Sequence, residues 1–170
     1  MRASRTIMIA VTAGLLTAAP ATATATVAAT ATATVAAASA DTVGGGSSWG
    51  PTYAPGKKSV AKGTLTSSAL NRTHLPATST VAVKGRITDL TSGPSCGWAV
   101  FRISYRTKDG NVPFKHRSYL DCSKGTPRAF SFTDRDVALV ELKVCGEGRA
   151  AEPSNVCLYA GTWKTLYSSL

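Results

Sequence analysis

From Thr80 onward, apolar and polar residues alternate along the chain, and this period of two constrains the fold more than any other feature. Val81, Val83, Gly85 and Ile87 share one face; Ala82, Lys84, Arg86 and Thr88 share the other. A second run places Ala99, Phe101, Ile103 and Tyr105 opposite Trp98, Val100, Arg102, Ser104 and Arg106. Asp109-Gly110 then signals a hairpin turn, with a return strand over Val112 to Cys122. Three further strands are expected: a short one over 128–133, another over 137–145, and one long or two short strands over 156–167. No segment after Thr80 carries a helix-length period of 3.6. Six or seven short strands with regular turns predict an all-β antiparallel sandwich, immunoglobulin-like or related, with Val83, Ile87, Phe101, Ile103, Leu120, Val140, Leu142 and Val144 in its core.

A two-residue turn at Asp109-Gly110 would set the hairpin so that paired positions sum to 219. Ile103 then faces His116, Tyr105 faces Phe114 and Ala99 faces Leu120, which puts the apolar sides together. Cys96 falls one residue out of line with Cys122, a mismatch that a bend at Gly97 would absorb. The four cysteines admit three pairings. Cys96–Cys122 as a hairpin staple and Cys145–Cys157 as a clasp on the last loop suit this register best. No Cys-x-x-Cys pair occurs, and His74 and His116 stand alone, so no metal and no cofactor are expected.

The preceding residues have a different character. Two arginines, an apolar stretch from Ile7 to Leu16 and then Ala/Thr-rich sequence have the order of a secretory signal over 1–40. The expected cleavage follows Ala38-Ser39-Ala40, with sites nearer Ala23 or Ala25 as the rival. Residues 41–78, rich in Gly, Ser and Pro, read as a flexible basic linker, with a short strand near Gly63–Leu70 as an option. The folded domain is then 79–170. The expected location is extracellular, with cell-wall association as an option, and no transmembrane segment is expected in the mature form.

The chain carries 19 Lys and Arg against 9 Asp and Glu; without Arg2 and Arg5 the excess is +8. Such a bias favours anionic partners or simply keeps a domain soluble. On the 219 register Arg102 faces Arg117, Ser104 faces Lys115 and Val100 faces Tyr119, with Trp98 and Arg106 on the same side and Lys84 and Arg86 extending it. Like charges directly opposite weaken a sheet. This face is therefore the expected anion-binding surface, for wall polymers, acidic polysaccharide or extracellular DNA.

Other motifs carry less. Gly46-Ser47-Ser48-Trp49-Gly50 matches the nucleophile-elbow pattern, but the expected linker supplies neither the strand nor the helix it needs. His116 with Asp121 is the only hydrolase option, and it lacks a nucleophile placed by sequence. The loop 146–155 is the only segment suited to protease inhibition. A non-catalytic binding domain is the expected class.

Val83-Lys84-Gly85-Arg86-Ile87, Cys96 opening a strand, Tyr105 before Asp109-Gly110, Cys122 before Lys124-Gly125, Val144-Cys145 and Cys157 together resemble small exported four-cysteine proteins of actinobacteria, Streptomyces-like in pattern. The resemblance covers Thr80 to Leu166. It implies a disulfide-bonded β-sandwich outside the cell and brings no activity or functional residues with it.

Overall fold

The computed structural model describes residues 46–170. The expected signal segment and its cleavage site lie outside the described residues. Seven strands run in the order β1 (Gly46–Tyr53), β2 (Ser59–Asn71), β3 (Thr78–Asp89), β4 (Ser95–Tyr105), β5 (Phe114–Asp121), β6 (Arg128–Gly148) and β7 (Lys164–Ser168), with a short helix α1 (Asn155–Tyr159) before the last. The fold is all-β, and every strand pairing is antiparallel. The strands form one hydrogen-bonded sheet, β1-β2-β3-β6-β4-β5 with β7 also on β6, where a sandwich would have two separate sheets.

β6 explains the difference. Residues 128–133 and 137–145, read as separate strands, are one strand of 21 residues. Its first half pairs with β3, from Ile87↔Arg128 to Val81↔Asp134; its second half pairs with β4, from Ser104↔Leu139 to Ser95↔Gly148. Both ladders shift register around Asp136, which takes a left-handed φ of 56°. A bulge of this kind bends a strand, and the sheet folds over on itself. Phe101 of β4 lies 5.9 Å from Trp49 of β1, although the two strands are four places apart in the sheet order.

The folded sheet encloses one core: Trp49, Ala61, Leu65, Val81, Val83 and Ile87 from one arm meet Ala99, Phe101, Ile103, Val140, Leu142 and Val144 from the other. Residues 46–53 and 59–71 are therefore strands β1 and β2, and the linker assignment for 41–78 is corrected over those ranges. Their apolar residues are few, yet Trp49, Ala61 and Leu65 are buried because each fills a space in a core built by later strands. Leu120 is the one expected core residue that lies elsewhere. It joins a second cluster on the outer side of β4 and β6, where Trp98, Val100, Cys145 and Cys157 are buried under Leu158 of α1 and Trp163. That cover accounts for the continuous apolar run Trp98–Phe101, since both faces of β4 are buried there.

The β4–β5 register differs by one residue from the sequence expectation: partners sum to 218, as in Arg102↔His116 and Ala99↔Tyr119. The turn is the cause. Gly110 donates to the Thr107 carbonyl and Thr107 donates to that of Asn111, so Lys108-Asp109-Gly110 forms a three-residue loop with Gly110 at φ +83°. A loop of odd length, closed by a left-handed glycine, shifts the return strand by one and exchanges the faces of β5. The same shift places Cys96 in line with Cys122, and the Cys96–Cys122 and Cys145–Cys157 disulfides both form. No bend at Gly97 is needed.

Candidate functional site

The register separates the expected anion-binding face into three places. Arg102 lies on the outer face of β4, opposite His116, and is neutralised by Glu141 at 2.7 Å. Lys115 and Arg117 lie on the other face and both grip Asp134, at 2.6 and 2.8 Å. Burial pushes the Asp134 carboxyl up, but hydrogen bonds from Arg117 and Lys115 outweigh it, and the group titrates below the ordinary carboxylate range. Tyr119 stacks on Phe130 and packs against the core, and Trp98 is buried. Arg106, past the end of β4, binds the Asp136 carbonyl through its backbone N–H. Arg102 and Arg117 are thus not a like-charge pair.

Lys84 and Arg86 have a different setting. Val83, Gly85 and Ile87 turn inward, so Lys84 and Arg86 project outward from β3. On β2, Ala61, Gly63 and Leu65 turn inward and Lys62 and Thr64 project outward. Lys62 pairs with Arg86 and Thr64 with Lys84; the rows continue to Ala129 and Ser131 on β6, and Ser48 of β1 pairs with Thr64. Lys62, Lys84 and Arg86 are exposed, and none joins an ion pair among the described residues. A like-charge pair directly across a sheet does exist here, then, as Lys62–Arg86, and it weakens the sheet unless an anion offsets it.

Between the two outward rows lies a third, Trp49–Gly63–Gly85–Phe130, whose members face the core. The result is an open groove of about 920 Å³ crossing four strands. Backbone forms its floor. One wall carries Ser48, Thr64, Lys84 and Ser131, and the other carries Lys62, Arg86 and Ala129. Four strands at the usual spacing make it about 14 Å long. The two glycines keep the floor thin: a Cβ on Gly63 would lie 2.0 Å from the Lys84 carbonyl oxygen and 2.6 Å from the Trp49 ring.

Lys62 was hidden from sequence reasoning because it fell in the assigned linker. The signal for it was the alternation Ala61-Lys62-Gly63-Thr64-Leu65, too short to compete with the surrounding Gly, Ser and Pro. Ser47 and Ser48 of the nucleophile-elbow match sit on a plain strand, without the sharp strand-to-helix turn that motif requires.

His116 and Asp121 lie on opposite faces of β5. Asp121 accepts hydrogen bonds from the backbone N–H groups of Asp89 and Ser123. His116 stacks on Trp163 at 5.7 Å and meets Tyr159 and Phe114 at 5.8 and 5.4 Å. Burial, with Arg102 and Lys143 nearby, lowers its pKa below the ordinary 6.5. The unfolded chain therefore takes up this proton first as pH falls. The His116 contribution is complete above the ordinary value and is lost as pH falls through the lowered one. Thermal unfolding between pH 7 and 5 should show a drop in Tm that is flattened in His116→Gln; an equal drop in the variant would assign it to another group.

The segment read as an inhibitory loop, 146–155, begins on β6 and ends on α1, with 149–154 in neither element. Gly146–Gly148 continue β6, Ser154 caps α1, and the Glu147 carboxylate accepts from both the N–H and the hydroxyl of Ser154. No helix among the described residues is long and apolar enough to cross a membrane. No family model, curated protein or solved structure matches the chain.

Proposed function

We propose that this domain is an exported, non-catalytic binding module that lays an extended anionic polymer across the groove formed by β1, β2, β3 and the first half of β6. The carrying observation is the set Lys62, Lys84 and Arg86: three exposed cations on both walls of one groove, without acidic partners among the described residues, while Arg102 is paired with Glu141 and Lys115 and Arg117 share Asp134. Arg gives directional contacts to phosphate or carboxylate and Lys gives a mobile point charge. The wall hydroxyls of Ser48, Thr64 and Ser131 supply neutral hydrogen bonds along the same track. The backbone floor suits a flat, repeating chain, and the excess of basic residues would steer polyanions toward the domain. Paired disulfides suit an extracellular setting.

Binding to purified cell walls, polyphosphate, alginate and single-stranded DNA should be measured across a salt series. Three phosphate contacts give a slope of log K against log salt of about −2 on a single strand. The double variant Lys62→Glu with Arg86→Glu should weaken binding at least about a hundredfold and flatten the slope. Arg117→Gln should leave binding unchanged. Absence of binding to all four at low salt, or unchanged binding in the double variant, would remove this function.

A further inference from the structure

A second cavity, of about 630 Å³, lies between the end of β1 with the Pro55 turn, the second half of β6, and the α1–β7 segment. Its walls include Tyr53, Pro55, Val144, Val156, Cys157 and Trp163. This size and mostly apolar lining are typical of small-molecule sites, which add a few placed polar groups. Here the polar group is Lys143. The residue is 8 % exposed and joins no ion pair among the described residues. Its ammonium donates to the Ala160 carbonyl and sits 4.4 Å from the Trp163 ring centroid. Ala160 and Trp163 belong to the same wall.

An ammonium has three donors, and a carbonyl with a ring face replaces only part of its hydration. Burying a charge without a counter-ion is unfavourable, so its retention at a cavity wall needs a reason. Burial and the nearby Arg102 charge both push the Lys143 pKa down, as an unmatched cation would show. Neither Glu141 nor Glu147 pairs with Lys143. Glu141 is bound to Arg102, and both oxygens of Glu147 are held by Ser154. Lys58 and Lys164 also line the cavity. The site therefore offers three cations against one carboxylate, Glu147, whose two oxygens are turned to Ser154, around a mostly apolar interior.

We propose that this cavity binds a small amphipathic organic anion, with its carboxylate paired to Lys143 and its aromatic or aliphatic body against Trp163, Val144 and Val156. The site is separate from the polymer groove and does not depend on it.

Phenylacetate and octanoate should be titrated into the intact domain, following the indole N–H signals by NMR, with phenylacetamide as the uncharged control. Saturable binding near about 1 mM is expected for a ligand of this size, with the Trp163 signal moving most. Phenylacetamide should bind at least about tenfold more weakly, since it lacks the charge-assisted contact. Lys143→Met should lose the same factor for phenylacetate, and Lys62→Glu with Arg86→Glu should lose nothing. The amide comparison needs no variant, so it holds even where Lys143→Met fails to fold. Equal affinity for phenylacetate and its amide, or no saturable shift at Trp163 up to about 10 mM, would overturn the assignment.

Discussion

Replacing Phe101 by alanine lowers the unfolding free energy by about 4 kcal/mol. The side chain is fully buried, and its ring meets Trp49, Tyr119, Phe130 and Phe132 at centroid distances of 5.0 to 6.2 Å. Those rings come from β1, β5 and the first half of β6, so no single element can shift to refill the space. The loss combines transfer of the ring to water with a cavity that closes only in part. Small domains have about 5–15 kcal/mol in total, so the variant should unfold at a much lower urea concentration with a similar slope. Phe114→Ala is the comparison. That ring is half exposed, and its loss should cost less than about 1 kcal/mol. A Phe101→Ala effect below about 2 kcal/mol would mean that the folded sheet is not closed around this ring.

Gly63→Ala should cost about 3 kcal/mol, although it adds a single methyl group. The new Cβ would lie 2.0 Å from the Lys84 carbonyl oxygen and 2.7 Å from the Gly85 Cα, which are backbone atoms of the neighbouring strand. A flexible side chain could swing away; a ladder carbonyl moves only by breaking strand pairing. Trp49 is also in the way at 2.6 Å, so its near-ultraviolet circular dichroism should change along with the midpoint. Gly148→Ala, where nothing lies within 4 Å, should stay within about 0.5 kcal/mol. Equal effects at the two positions would refute the close approach of β2 and β3.

These glycines show what was legible in the sequence and what was not. The alternation in 80–88, 98–105 and 137–145 gave the strands and most of the core, because a half-buried strand writes its burial into every second residue. Gly63 broke that code: an inward position without a side chain looks like linker unless the Trp49 ring that lies over it is already known. The hairpin was visible in Asp109-Gly110, but its loop length was not. One residue of difference moved Arg117 and Lys115 from the expected binding face to Asp134. Cys96–Cys122 survived that error because the observed register brings the two residues into line, and Cys145–Cys157 does not depend on the hairpin. The groove depends on two strands, β2 and β3, being in register at Lys62 and Arg86, and a single sequence carries no mark of such a long-range pairing.

β6 gives the two arms a common strand, and this fixes when the protein can become a protein during synthesis. β1, β2 and β3 pair in chain order, but the free side of β3 finds its partner only in Arg128–Val137. A nascent chain that has reached Pro127 holds Val81, Val83 and Ile87 in a strand with one edge open and half of its core missing. Such an edge recruits other strands, and non-local pairing closes slowly. Chains released before β6 should therefore associate with one another rather than persist as a smaller domain.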